Sequence, residues 1–298
     1  MKRRIVPILT LAVFASVLAR GADLSTQQTA QTSAPPASQQ SGVILSASAK
    51  EDIGDMRPAS EAGVLSYFHT TAQLRGNYSS NPQLYHNNSA GDFLTMPSLE
   101  TRFSAPMGGG FRLNGLARAE SIIYSRYDER GVWGFSGQAD IEYRYRPQWP
   151  RIFAGVEPYY YNAFENSRHL AAAVGPVTGI DKGWAINRGR TLLIAAYKFG
   201  SYFADPTLDD RNTHSLTLSC THQIRPGLFA QVFYQWQFSD YRQEDRHDSR
   251  NIAGANMVYQ FTPHLFGTLS ASYVNNDSDR SLADYQNVNA GAGLTWQF

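Results

Sequence analysis

Apolar and polar side chains alternate along nearly every segment from residue 66 to residue 298, and this pattern constrains the chain most. A period of two puts successive side chains on opposite faces of a β-strand. The last stretch shows it clearly, because six apolar residues alternate there with more polar or small ones. The apolar set is Val288, Ala290, Ala292, Leu294, Trp296 and Phe298. Twelve such runs follow one another, which predicts an all-β protein.

The connections between these runs alternate strictly between short and long. Five short turns fall at 106–110, 146–150, 187–190, 225–227 and 262–264, and six longer connections separate them. One of the longer connections is the charged stretch 239–250. An even number of strands with short turns at one end and longer loops at the other is typical of a membrane barrel. Only a closed barrel leaves no strand edge unpaired in lipid. The sequence therefore predicts a transmembrane antiparallel β-barrel of about 12 strands, an up-and-down meander over 66–298 whose last strand pairs with 68–78.

The sixth and seventh runs, 169–186 and 191–203, are the exceptions. Neither alternates cleanly between apolar and polar residues, so their facing stays open. Gly175-Pro176 also interrupts the sixth run. Because proline cannot donate to a strand ladder, we predict a bulge or a broken strand there.

The N-terminal region has a different composition. Basic residues at positions 2–4, an apolar run at 5–18 and small residues up to Gly21 predict a secretory signal peptide over 1–21. Residues 22–65 predict a disordered periplasmic linker or a small plug, because 23–40 contain too few large apolar residues to fold. Such a linker offers a contact for a periplasmic partner. The single cysteine, Cys220, rules out an internal disulfide within the chain.

Bulk composition excludes several functional classes. The formal net charge is +1 with 17% charged residues, so no strong field points to nucleic acid. The mean hydropathy of −0.38 is too polar for a bundle of membrane helices. We find no metal-ligand set of Cys and His and no cofactor motif, and we predict no metal and no cofactor.

Gly293, Trp296 and Phe298 resemble the C-terminal assembly signal of bacterial outer-membrane barrels, which combines a glycine with aromatic or apolar residues at the third-last and last positions. Taken with the alternating turns, residues 66–298 resemble the broad class of Gram-negative, porin-like outer-membrane barrels. The resemblance implies export to the outer membrane and contact with its lipid and lipopolysaccharide. It also implies recognition by the barrel-assembly machinery.

The polar faces of the first five strands predict a charged, inward-facing wall, whereas those of the last five carry mainly Ser, Thr, Asn and Gln. We interpret the charged residues as pore-lining, and two hypotheses for the role of their charges stay open. Their charges either set a field across a water-filled channel or pair across the strands and fill the lumen. The predicted lining residues are Arg75, Glu100, Arg102, Arg112, Arg118, Glu120, Asp140, Glu142, Arg144 and Glu157.

These features predict a passive or weakly selective channel for small hydrophilic solutes, and not an enzyme. One alternative is a non-conducting barrel that serves surface binding or the export of exopolysaccharide or other glycans. A second alternative is an outer-membrane hydrolase. Its candidate groups are neighbours along the chain, namely His169 with Ser167, His214 with Ser215, His222 with Thr221, and the cluster Glu244, Asp245, His247 and Asp248.

Overall fold

The computed structural model is a closed barrel of twelve antiparallel strands in which each strand pairs with its neighbours in the sequence. It describes residues 67–82, 84, 90–126, 131–146, 148–164, 169–187 and 189–298. The predicted signal peptide and linker, 1–65, lie outside these residues. The strands are β1 Phe68–Ser79, β2 Asp92–Gly108, β3 Phe111–Tyr124, β4 Val132–Tyr143, β5 Arg151–Ala163, β6 His169–Ile186, β7 Thr191–Asp205, β8 Arg211–Arg225, β9 Leu228–Tyr241, β10 Arg246–Gln260, β11 Leu265–Ser278 and β12 Tyr285–Gln297.

The barrel closes where the sequence predicts, between the first strand and the last. Thr71 faces Gln297 and Ser79 faces Asn289 across the β1–β12 ladder. The backbone N–H of Phe298 adds one more bond, donating to the carbonyl of Thr70 at 2.9 Å. The predicted twelve-stranded up-and-down barrel is thus confirmed.

The two ends of the barrel differ. We call the end that carries Phe68, Phe298 and the tight turns the turn end, and the opposite end the loop end. At the turn end, β6 and β7 are joined through Asn187 and Gly189, whose φ angles of 53° and 85° are left-handed and allow the sharp reversal. At the loop end, single turns of 3-10 helix occur at Thr207–Asp209 and Ser281–Ala283. Within the described residues, no helix is long and apolar enough to span a membrane.

The outer and inner faces of the wall have opposite character. Outward side chains such as Leu99, Val232 and Leu269 are large, apolar and 51–59% exposed. Inward side chains such as Arg75 and Glu100 are each only 7% exposed. A water-soluble protein shows the reverse arrangement, whereas an apolar outer band around a polar lumen is the pattern of a membrane barrel.

The prediction of a bulge or break at Gly175-Pro176 is wrong. β6 runs without interruption, and Pro176 pairs with Val156 of β5. Pairing with β7 skips Gly175 and Pro176 but resumes in the same register, with Val174 facing Phe203 and Val177 facing Gly200. The missing proline N–H therefore weakens one ladder locally and leaves the strand intact.

The connection predicted at 239–250 is also wrong in extent. β9 continues to Tyr241 and β10 begins at Arg246, so only 242–245 join them. A strand needs about 9–11 residues to cross the hydrocarbon layer. With 15 residues, β10 is long enough for its loop-end part to project beyond that layer.

Candidate functional site: the lumen

The ten predicted lining residues all lie along the inner side of the wall. Nine of them occupy inward positions of β1 to β5, where buried and exposed residues alternate. Arg144 follows β4 at the turn end, and its Nε atom is buried. The register places oppositely charged residues side by side, since Glu100 faces Arg118 and Arg112 faces Glu142. Their role in lining a conducting pore stays a prediction.

Glu100 is the centre of a first group of ion pairs. One of its oxygens accepts from Nε of Arg102 at 2.6 Å, and the other accepts from Nε of Arg118 at 2.9 Å. Arg118 also approaches Glu120 at 4.0 Å. Glu120 in turn accepts from the hydroxyl of Tyr161 at 2.7 Å. Such charge-assisted bonds hold the side chains of β2, β3 and β5 in one layer.

Glu142 is the centre of a second group. It accepts from Arg151 at 2.8 Å and from Asn114 at 2.9 Å, and Arg112 lies 3.5 Å away. Arg151 also donates from Nε to Asp181 at 2.8 Å, which extends the group to β6. The sequence prediction missed Arg151 and Asp181. The period of two through Ile152 and Ala154 could have identified Arg151 as inward, but β6 gives no comparable signal for Asp181.

A third group links β5 to β7. Glu157 accepts from Nζ of Lys198 at 3.0 Å and from the hydroxyl of Tyr202 at 2.6 Å. The sequence left the facing of the seventh run open, so it could not assign Lys198 to the lumen. The three groups show that the predicted pairing across the strands occurs. They do not fill the space, because the side chains of Arg102, Arg112 and Lys198 keep exposures of 28%, 31% and 37%.

The opposite wall, formed by β8 to β12, is largely neutral. Its amides and hydroxyls bond across the strands, with Gln235 donating to Ser215 at 3.0 Å and Asn256 donating to Gln231 at 3.1 Å. Some polar atoms on this wall are buried and have no hydrogen-bond partner among the described residues. They are the hydroxyl oxygens of Ser219 and Thr221 and the Nε2 atom of Gln231. The lumen thus has a charged wall facing a neutral one.

The neutral character does not extend to the loop end, and here the prediction of a neutral wall is wrong. Four charged residues of β8 and β10 are 5–6% exposed and point inward: Arg211, Arg246, Asp248 and Arg250. Nε of Arg246 donates to Asp248 at 2.9 Å, and its guanidinium carbon lies 4.2 Å from the centre of the Tyr241 ring. An ion pair and an aromatic face therefore hold this charge inside the barrel.

Apolar side chains are buried on the inner face near the loop end. Among the described residues, three inward clusters of buried side chains occur there, on β2 and β3, on β5 to β7, and on β9 to β12. Ile122 and Val274 are fully buried within them. Leu84, from the connection between β1 and β2, packs against the β9 to β12 cluster. Neighbouring Asn81 is tied to β12 by a backbone N–H bond to Asn287 at 2.9 Å.

The structure does not bring the hydrolase candidates together. His214 and His222 point outward, whereas Ser215 and Thr221 are buried on the inward side, and Ser167 lies outside the described residues. His247 pairs with Asp240 at 3.0 Å on the outer face, and Asp248 is bound to Arg246 inside. In the described part of the chain, no three His, Cys, Asp or Glu side chains are grouped to hold a metal ion.

Comparison with known proteins found one family model and solved structures of similar fold. Residues 162–298, which include all of β6 to β12, match the model of the family described as "Putative beta-barrel porin 2". An outer membrane channel from Pseudomonas putida F1 superposes with a TM-score of 0.52 at 12% identity, covering 82% of this chain and 100% of that one. The chain therefore resembles the porin-like β-barrels of the outer-membrane class. The match to the family model is confined to the C-terminal part of the barrel, which contains the neutral wall.

Autotransporter barrels are also similar in outline to this porin-like barrel. The translocator domain of NalP from Neisseria meningitidis has a TM-score of 0.45 at 10% identity, covering 83% of this chain and 93% of its own. The β domain of BrkA from Bordetella has a TM-score of 0.45 at 13% identity, covering 78% and 100%. A comparison with curated proteins gave no match.

Proposed function

We propose that this barrel is a passive, weakly selective outer-membrane channel for small hydrophilic solutes. The observation that carries the proposal is the exposure of charged groups inside the wall. Arg102, Arg112 and Lys198 point inward and yet keep 28–37% of their side-chain surface accessible. Accessible charges on an inner face require space for water beside them, because a dry lumen would bury them at high cost.

The two walls suit solutes that are polar but not strongly charged. The charged wall consists of the ten predicted residues together with Arg151, Asp181 and Lys198. It carries six carboxylates and seven cations, so the charges nearly cancel. The opposing amides and hydroxyls offer neutral hydrogen-bonding groups. A field of this kind orients dipolar solutes and leaves only a weak ion preference. The apolar clusters near the loop end limit the size of what passes.

The same clusters favour a second candidate function, a non-conducting barrel for surface binding or glycan export. Ile122, Val274 and Asn287 are at most 1% exposed, so part of the loop end is tightly packed. The two candidates differ in whether the remaining opening admits solutes.

The proposal includes placement in the membrane. The turn end faces the periplasm, because short turns lie on that side in barrels of this class and longer loops lie outside. Export through a cleaved signal peptide at 1–21, and contact of 22–65 with a periplasmic partner, belong to the same proposal. So do contacts with lipopolysaccharide and recognition of Gly293, Trp296 and Phe298 by the barrel-assembly machinery.

Uptake of uncharged sugars into proteoliposomes tests the channel. Liposomes that contain the folded barrel should swell at rates that fall as the sugar grows from a pentose to a tetrasaccharide. Ser272→Trp adds bulk to the inward face of β11 and should slow the uptake. Ala271→Trp adds the same bulk to the outward face and serves as the matched control. Swelling at the rate of protein-free liposomes, with the barrel shown to be folded, would instead favour the non-conducting candidate.

A further inference from the structure

We propose that Arg250 forms an anion site at the loop end of the lumen and binds a small carboxylate. Arg250 lies on the inward face of β10 and is 6% exposed. Its Nε and Nη2 atoms are both buried and have no hydrogen-bond partner among the described residues. A buried guanidinium is costly unless it is paired, so these two free N–H groups mark a place for an acceptor.

Three other cations at this end of the barrel are compensated. Arg246 donates to Asp248 at 2.9 Å, and Arg280 lies 3.2 Å from Glu244. Arg211 donates to the carbonyl oxygen of Asp209 at 3.3 Å, and the Asp209 charge also acts on it. Because these carboxylates already interact with other cations, none of them compensates the charge of Arg250.

The side chains beside Arg250 do not supply the missing acceptor. In the register of the sheet, Arg250 faces Gln237 on β9 and Asn276 on β11. Both are neutral, and their amide nitrogens donate elsewhere, to Ser239 at 3.3 Å and to the carbonyl of Ala283 at 2.9 Å. Asn276 faces Tyr285 on β12, so the row around the guanidinium consists of amides and a phenol.

The geometry of the guanidinium selects the ligand class. Nε and Nη2 lie on the same edge of the planar group and can bind the two oxygens of one carboxylate. Gln237 is half-buried and its bond to Ser239 is long, so its amide is the group that gives way as the anion approaches. The neutral row then offers hydrogen bonds to hydroxyl groups of the bound solute. This site concerns binding alone and stands whether or not the barrel conducts.

The test measures binding of acetate to the full chain folded in detergent. The ¹³C-carboxylate resonance of labelled acetate should broaden in the presence of the wild-type protein, and labelled acetamide, the neutral analogue, should not. Arg250→Gln should abolish the excess broadening. Arg280→Gln removes the same charge from an exposed side chain that pairs with Glu244 and should leave the broadening unchanged. Equal broadening with wild type and Arg250→Gln, or none with wild type, would overturn the proposal.

A second measurement separates the anion site from a structural role. Arg250→Met keeps most of the side-chain volume and removes the unpaired charge, so in low salt its thermal midpoint should exceed that of wild type. Added acetate should raise the midpoint of the wild type and not that of Arg250→Met. A lower midpoint for Arg250→Met, with acetate acting equally on both proteins, would show that the arginine is a structural element and not a binding site.

Discussion

Arg75 lies across Gly293 where the first and last strands meet. A Cβ added at Gly293 would stand 2.7 Å from Cγ of Arg75, closer than carbon atoms approach in proteins. The two residues face each other in the β1–β12 ladder. The glycine of the predicted assembly signal therefore has a packing role as well, since it leaves room for an inward arginine at the closing seam.

Gly293→Val should consequently destabilise the barrel by overpacking, at a cost of about 1–3 kcal/mol. The matched control is Gly76→Val on the same pair of strands, where an added Cβ meets no atom within 4 Å. Urea titrations of the two folded variants in lipid vesicles measure the difference. Equal midpoints would show that Arg75 moves aside freely and that the seam does not depend on Gly293.

Phe298 provides a test of the assembly signal. Its side chain is 70% exposed, while its backbone N–H is bonded to Thr70, so Phe298→Ala removes an exposed ring and keeps the closing hydrogen bond. We expect fewer barrels in the outer-membrane fraction and an unchanged conductance for each inserted molecule. Phe93→Ala removes a similarly exposed outward ring at the loop end and should insert normally. Normal insertion of Phe298→Ala together with altered conductance would contradict the assignment.

The ion pairs around Glu100 predict the ion preference of the lumen. Replacing Arg102 and Arg118 with Ser leaves the Glu100 carboxylate without its two bonded cations. The loss of two positive charges at ~10 Å in water changes the energy of a passing ion by about 0.8 kcal/mol, a factor of about four in ion preference. The reversal potential in a potassium chloride gradient should therefore shift towards cation preference. An unchanged reversal potential would mean that these arginines do not face the conducting path.

Leu84 predicts how the loop end limits flow. Leu84→Ser should loosen the packing against the β9 to β12 cluster and raise the conductance, with a stability loss of about 1 kcal/mol for a half-buried side chain. Leu282→Ser is the control, because Leu282 is 82% exposed in another loop-end connection. If both variants conduct like wild type, the constriction lies elsewhere.

The strand order could be read from the sequence because the period of two is local. A strand with one apolar face reports its own facing, as β9 does through Val232 and Gln231. The sequence of β6 does not report its facing, because its inward residues are small. They are small because side chains of the neighbouring strands occupy the space beside them. A Cβ at Gly179 would come within 2.5 Å of the Phe153 ring, and one at Gly175 within 2.7 Å of Tyr202. Large inward rings on β5 and β7 therefore fix the facing of β6.

The inward charges at the loop end could not be predicted from the sequence for a related reason. Consecutive charges over 239–250 are typical of a solvated loop. The sequence does not show that an ion pair and an aromatic ring compensate one of these charges inside the barrel. Arg246 is held inside by Asp248 on its own strand and by Tyr241 across the ladder. Such compensation depends on register between strands, which alternation along one strand does not reveal.

Planar-bilayer recording tests the central claim most directly. The folded full-length barrel, added to a lipid bilayer in potassium chloride, should give discrete current steps of uniform size, and Ser272→Trp should make those steps smaller. Ala271→Trp should leave them unchanged. The absence of steps from protein that is shown to be folded and inserted would contradict the proposal that this barrel is a channel.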